Sequence, residues 1–588
     1  MRKILNQINA PKDLKPLSPA ELEQLCGEIR EQLLWRLSAT GGHVGPNLAV
    51  VEATVALHYV FDAPADRIVF DVSHQCYTHK MLTGRKAAYI DPDQFASVSG
   101  FTNPAESEYD IFSIGHTSTA ISLACGLAKG RDLKGEAHNV VTVVGDGALS
   151  GGEAFEGLSN AAALGSNIII VVNDNDMSIA ENHGSLYQNL RLLRETGGQA
   201  ECNLFRALGF EYLFVKDGND VCQMVAALSK AKGADHPVVI HMCTVKGKGY
   251  PFAEADRENW HYMGPFHLDT GKPRHEASSV ETYEALTATY LADRMRKDSR
   301  IAAITAGTPK VLGFDEAMRR QFPKQFVDVG IAECHAVAMA SGIAKAGGKP
   351  VFGVSSSFIQ RAYDQLSQDL ALNRSPAVIL VAFSGVSQGS QTHMGIFDVA
   401  MVKSIPSLVY LAPTCREEYF NMLEWGIEQN EHPVMIRIPG IRTVSRDAAL
   451  LPEYGHPARY EIVAYGTEVA ILALGNFFSL GMGVREKLEA EHGIRTTLIN
   501  PRWVSAVDEK VLNALPEYGH RLVVTLEDGV LDGGFGESIA RFYGNSSMKV
   551  LNFGVKKEFV NHVSVEEQYR RNHLTPEQIV DDIMKALH

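Results

Sequence analysis

The sequence predicts an α/β protein whose domains are mainly parallel sheets flanked by helices. Three observations predict it. Strand-length runs rich in Val and Ile recur, as at 140–144 (VVTVV), 168–172 (IIIVV) and 378–381 (VILV), and strands buried on both faces need such runs. Stretches of helical apolar spacing such as 153–163 alternate with them, the pattern that βαβ units produce. The 588 residues exceed one domain of ~150, and the pattern divides them into segments 1–272, 278–445 and 458–588.

The first segment opens on an amphipathic stretch, 18–38, with Ser18 as N-cap and Glu21 at capping-box spacing. The loop Thr40-Gly41-Gly42-His43-Val44-Gly45-Pro46-Asn47 sets three glycines around one histidine, which disfavours a packed core element. A strand over 67–71 runs into Asp71-Val72-Ser73-His74-Gln75. Residues 111–115 lead to His116-Thr117-Ser118-Thr119 and a small-residue helix. Three histidine-bearing turns thus precede the central motif, each expected at the sheet's carboxyl edge, in a polar site for phosphate and carbonyl oxygens.

The central motif is strand 140–144, the turn Gly145-Asp146-Gly147, a helix over 153–163, strand 168–172 and then Asn173-Asp174-Asn175. Open α/β sheets bind ligands at the carboxyl ends of their strands. Asp146 and Asn175, 29 positions apart, then face one crevice. A carboxylate and an amide carbonyl are hard oxygen ligands, and Mg²⁺ takes one or two of these with water and phosphate oxygens. Amides at the start of the following helix, with Gly147 and Ala148 as candidate contacts, favour an anion. Gly-Asp-Gly alone is a common turn; paired with Asn-Asp-Asn it predicts a Mg-diphosphate site.

Strand 237–244 ends at Lys246-Gly247-Lys248-Gly249-Tyr250, suited to a diphosphate or simply a solvated basic turn. Residues 253–274, polar and punctuated by Pro and Gly, read as a linker. The second segment opens with strand 301–305. Glu333 begins a helix of small apolar residues; it is either a first-turn carboxylate on the helix dipole or a carboxyl whose raised pKa lets it hold a proton. In the third segment, strands 469–474, 496–499 and 522–526 alternate with helices and carry no catalytic constellation. A structural, dimer-supporting role is expected there.

Lys plus Arg number 55 against 69 Asp plus Glu, a net charge of −14. With no basic cluster, this argues against a nucleic-acid surface. The eight cysteines form no CxxC pair, which points to reduced thiols and no zinc site. The N-terminal stretch lacks an apolar signal core, and no apolar run approaches the ~20 residues of a membrane span. A cytoplasmic protein is expected.

Taken together these motifs resemble the transketolase-like thiamine diphosphate enzymes, and within them the 1-deoxy-D-xylulose-5-phosphate synthase family. The resemblance rests on TGGHVGPNL (40–48), DVSHQ-x-Y-x-HK (71–80), GHTST (115–119), GDGALSGG (145–152), VGIAE-x-HAV (329–337) and QTH (391–393), and covers almost the whole chain. It implies a diphosphate- and Mg-binding domain over 1–272, a pyrimidine-binding domain over 278–445 and a C-terminal domain over 458–588. It implies thiamine diphosphate and Mg²⁺ as cofactors, with Asp146, Asn175 and the Met177 carbonyl on the metal. His74, His116, Thr117, Ser118, Lys246 and Tyr250 become cofactor contacts. Glu333 becomes the proton-holding carboxyl at the cofactor's pyrimidine, and Phe358 stacks on that ring. His43, His116, His393 and Arg361 become catalytic, facing substrate. The implied reaction decarboxylates pyruvate and joins the two-carbon fragment to D-glyceraldehyde 3-phosphate, in a homodimer.

The departures from the family cluster around the acceptor. Ser355 stands where the family has Tyr. Its Asp-Arg-Ala-Gly strand end reads Ala382-Phe383-Ser384-Gly385, an Asp before the Thr-His histidine is Gly389, and its Tyr-Pro-Arg-Gly turn is Ile438-Pro439-Gly440 with Arg442 two residues late. The loop over 180–202 is shorter than is usual. The missing arginines are the family's grip on the aldehyde phosphate, and no Lys or Ser reproduces a guanidinium fork. A paralogue with another, unphosphorylated acceptor, or a transketolase-type ketol transfer, is the second expectation. A cofactor-binding protein without turnover is disfavoured by Asp146, Asn175, Glu333, His43, His116 and His393. A dinucleotide-binding oxidoreductase is disfavoured by the lack of an early GxGxxG.

Overall fold

The computed structural model describes residues 3–275, 281–438, 440 and 443–588. They divide into two compact units: the residues up to 275 together with 330–332, and the remainder.

The first unit is built on five parallel strands: β1 (Arg67–Phe70), β2 (Val140–Gly145), β3 (Ile169–Asp174), β4 (Glu211–Val215) and β5 (Val238–Cys243), in the order β1-β2-β3-β5-β4. Alternate residues of β2 and β3 feed two cores. Val141, Val143, Ile169 and Val171 pack into one, and Val140, Val144, Ile170 and Val172 into the other. Both sheet faces are therefore covered, which is why these strands read as unbroken apolar runs. Gly145 pairs in register with Asn173, and the Asp146 amide donates to the Asn173 carbonyl at 2.9 Å. The Gly-Asp-Gly and Asn-Asp-Asn turns thus lie side by side.

The helix predicted over 18–38 runs Pro19–Thr40, with its Ser18–Glu21 capping box formed. Two expectations change. A one-turn 3-10 helix, Gly147–Ser150, separates Gly147 from the long helix Gly152–Ala163, so no long helix starts at Gly147. Residues 253–274 are not a linker: Trp260 and Phe266 are buried in the first unit's core, Met263 bridges Gly42, and the Phe266 amide donates to Ser38. Sparse but large aromatics hold a stretch whose average composition is polar.

The second unit holds two sheets. Strands β6 (Ile301–Thr305), β7 (Phe326–Asp328), β8 (Lys349–Ser355), β9 (Val378–Ala382), β10 (Val409–Leu411) and β11 (Val434–Arg437) run parallel in the order β10-β11-β9-β8-β6-β7. Strands β12 (Glu461–Ala464), β13 (Glu468–Ala473), β14 (Thr497–Asn500), β15 (His520–Val530) and β16 (Lys549–Val555) are ordered β12-β14-β13-β15-β16, with only the edge strand β12 antiparallel. One apolar cluster runs from Ile304, Phe352 and Leu380 through Trp503 to Leu472 and Val523, so both sheets share a core. Among the described residues, no helix is long and apolar enough to cross a membrane.

Candidate active site

The carboxyl edge of the first unit's sheet presents Asp71, Asp146, Asn175 and Lys246, which follow or end β1, β2, β3 and β5. Asp146 is buried, and its Oδ2 accepts from the Met177 amide (3.2 Å) and the Asn182 side-chain amide (2.7 Å). Burial pushes its carboxyl up to about 8; the Asp174 charge adds to this and the Asn182 bond opposes it. Asp174 is treated differently. Burial works against its ionisation too, but His241 (2.8 Å) and Arg194 (2.6 and 2.8 Å) outweigh that and hold it below the usual range. Asn173 Oδ1 is taken by the Thr244 hydroxyl at 2.5 Å. Of the triplet, only Asn175 keeps a buried side-chain oxygen without a hydrogen-bond partner.

An under-compensated buried carboxylate on one strand end and an unpartnered amide oxygen on the next form a donor set that suits a hard divalent cation. The residues present therefore fit the Mg-diphosphate group expected from the sequence. Among the described residues there is no cluster of three His, Cys, Asp or Glu suited to a metal, so a cation here would rest on mixed oxygen donors. A Cβ on Gly147 would meet Ser178 at 2.9 Å, so only glycine lets these turns approach. Lys246 is buried with its ammonium on the Ser178 carbonyl (2.6 Å); burial pushes it down to about 8 and Asp146 opposes this.

Asp71 accepts amides from Ser118 (2.8 Å) and Ala120 (3.0 Å), fixing the turn that carries His116 and Thr117. Ser118, in the left-handed region at φ +77°, donates its hydroxyl to the Ala148 carbonyl at 2.7 Å. The His116-Thr117-Ser118 turn is thereby tied to the Gly147-Ala148 turn. The two other histidine loops share one anchor. Buried Asn47 donates to the carbonyls of His43 (2.7 Å) and His74 (2.8 Å), and its Oδ1 accepts from the Tyr77 amide (3.0 Å). The His43 ring meets His74 edge-on at 5.0 Å, and His261 stacks on His74 at 5.3 Å.

His79 and Lys80, from the same motif as His74, are structural. His79 is bonded to Asp110 (2.8 Å) and Lys80 to Glu106 (2.6 Å), both buried. Tyr250 also turns inward: its hydroxyl donates to the Leu268 carbonyl (3.0 Å) and its ring packs on Trp260, so packing accounts for it.

In the second unit, buried Glu333 opens the helix Glu333–Lys345. Burial raises its pKa, and the Arg361 guanidinium at 3.8 Å opposes this. Phe358 meets His393 edge-on at 5.6 Å, and Thr392 Oγ1 lies 2.9 Å from His393 Nδ1. Glu333 pairs with Arg361 and Phe358 with His393, contacts between side chains 28 and 35 positions apart in sequence.

At the end of β11, Arg437 is buried against two carboxylates: its Nε donates to Asp398 (2.9 Å) and its Nη1 to Asp528, whose other oxygen accepts from Asn476 (2.8 Å). Pro439 and Arg442, the altered turn beyond it, lie outside the described residues.

Sequence reasoning missed Asn47, Asn182 and His261 as parts of these clusters. Asn47 stood inside the glycine-rich histidine loop, and Asn182 followed the strand end closely. His261 was hidden in the presumed linker.

Comparison with known proteins defines the class first. A family model described as 1-deoxy-D-xylulose-5-phosphate synthase matches residues 5–201 and 196–244, transketolase pyrimidine-binding domain matches 279–442, and transketolase C-terminal domain matches 458–579. The fold is accordingly transketolase-like. A 1-deoxy-D-xylulose-5-phosphate synthase of Desulforudis audaxviator is 39% identical over 98% of this chain and 96% of its own. That of Clostridium acetobutylicum is 37% identical over 99% of this chain and 100% of its own. This chain belongs to the 1-deoxy-D-xylulose-5-phosphate synthase family. Among solved structures, a transketolase of Leishmania mexicana matches with a TM-score of 0.44 at 16% identity, over 95% of this chain and 96% of that one.

Proposed function

We propose that this chain is a thiamine diphosphate-dependent transferase that decarboxylates pyruvate and condenses the two-carbon fragment with D-glyceraldehyde 3-phosphate to give 1-deoxy-D-xylulose 5-phosphate. The observation that carries the reading is the pairing of Asp146 with the unpartnered Asn175 oxygen at adjoining strand ends, in a chain of this family. When bound, thiamine diphosphate supplies a carbanion and electron sink. Asp146, Asn175 and the Met177 carbonyl hold Mg²⁺, and Lys246 and the 116–118 turn bind the diphosphate. Glu333, whose carboxyl burial raises above its ordinary value, faces the cofactor's pyrimidine as the proton-holding group in this reading. Phe358 supports that ring, and His43, His74, His116 and His393 orient substrate oxygens and move protons. Arg361 faces the substrate carboxylate.

The enzyme works as a cytoplasmic homodimer in this reading; its eight free cysteines suit a reducing compartment. The test is incubation with thiamine diphosphate, Mg²⁺, pyruvate and D-glyceraldehyde 3-phosphate, with products identified by NMR. 1-Deoxy-D-xylulose 5-phosphate is expected, and its formation should stop when EDTA removes the metal. No CO₂ from pyruvate in protein that binds the cofactor overturns the reading.

A further inference from the structure

Strand β9 ends at Ala382, and the chain turns at Phe383 with φ +54°. A bulky residue in this left-handed region is an outlier, and such strain collects where side chains meet ligands. Packing does not repay it, because the Phe383 side is 55% exposed. The backbone there is clamped. Gly385 donates to the Gly395 carbonyl at 2.7 Å, and a Cβ on Gly395 would fall 2.1 Å from the Phe383 carbonyl oxygen. Gly395 is two residues from His393, whose ring meets Phe358. Phe383 therefore stands at the strand edge that carries the substrate-facing residues of this unit.

Among the described residues, that edge offers a phosphate little. The stretch 383–397 contains no Lys or Arg. The arginine on the neighbouring strand, Arg437, pairs in register with Val381 but is committed to Asp398 and Asp528. Asp528 presses its carboxylate on the same turn: a Cβ on Gly385 would meet it at 2.1 Å. The cavity under the turn is lined by Ser387, Ser390, Met394, Ile396, Val560 and Gln568, none of them charged. In the short helix Gln360–Ala362, beyond the other flanking strand, Arg361 lies 3.8 Å from Glu333. Phosphate recognition calls for guanidinium forks or ammonium groups, whereas an exposed ring and neutral hydroxyls suit a short chain without charge.

We propose that Phe383 sets acceptor selectivity, and that this site takes aldehydes with an unphosphorylated distal end as readily as D-glyceraldehyde 3-phosphate. The inference rests on the reaction proposed above. The test compares kcat/KM for D-glyceraldehyde and its 3-phosphate, each with pyruvate, in the holoenzyme and in Phe383→Arg. The wild-type values should lie within about ten-fold, and the variant should shift the ratio toward the phosphate by about ten-fold or more, the worth of one charge-assisted contact. A wild-type preference for the phosphate above roughly 100-fold, or an unmoved ratio in a folded, cofactor-binding variant, overturns the inference and leaves the reaction standing. Absence of CO₂ release with either aldehyde overturns the reaction itself. The wild-type ratio decides even if Phe383→Arg does not fold.

Discussion

Several buried carboxyls fall into two groups that the chain treats in opposite ways. Asp398 and Asp528 in the second unit share Arg437, and Asp174 in the first is matched by Arg194 and His241. Asp146 and Glu333 are just as buried but under-matched, and burial raises both. Matched charge is structural, because removing one partner strands the other in a medium that solvates it poorly. Under-matched charge costs stability and persists where a ligand or proton completes it. The difference separates binding groups from locks that residue type alone would not distinguish.

The strongest way to break this division is Glu333→Gln. It should bind thiamine diphosphate yet lose about 100- to 10,000-fold in kcat, the range of a positioned proton donor. Near-normal turnover would return Glu333 to the simple first-turn role. Next comes Asp146→Ala, expected to weaken Mg-dependent cofactor binding by more than about 100-fold in a fluorescence titration. Unchanged affinity would mean that the raised carboxyl is only a tolerated burial. The converse change, Arg437→Leu, should cost about 3–5 kcal/mol of stability by leaving Asp398 and Asp528 unpaired. A melting temperature equal to wild type would remove it from the locks.

Much of this was legible in the sequence because strand ends are written in local chemistry. The β-branched runs and the turns after β2 and β3 fix both the parallel sheet and the meeting of Asp146 with Asn175. Glu333 was legible as a carboxyl leading a small-residue helix. The partners were not. Nothing local says that Asp174 belongs to Arg194 and His241 while Asn175 stays open, or that Arg437 is consumed by Asp398 and Asp528, since these pairings join residues 20 to 91 positions apart. The stretch 253–274 failed for a related reason: two buried aromatics, Trp260 and Phe266, outweigh a polar average.

Glu527 sharpens the division most finely, because it is raised without being open. It is buried, and burial pushes it to about 7, from an ordinary value of 4.5, against the bonds from the Gly536 and Phe535 amides and the charges of Lys403 and Arg437. Those amide bonds, at 2.7 and 2.8 Å, occupy both of its oxygens. Its pKa is higher folded than unfolded, so the proton binds the native state more tightly. The associated stability is present below pH 4.5 and is lost as pH rises toward 7. At about 1.4 kcal/mol per pH unit the loss is on the order of 3 kcal/mol. Glu527→Gln cannot ionise, so its melting temperature should gain on wild type between pH 5 and about pH 7 and level off above that, while Mg-dependent cofactor affinity stays the same. Parallel melting curves would show that Glu527 is ionised at little cost. A fall in cofactor affinity would show that saturated hydrogen bonds do not exempt a raised carboxyl from binding, and the division drawn between Asp146 and the locks would fail with it.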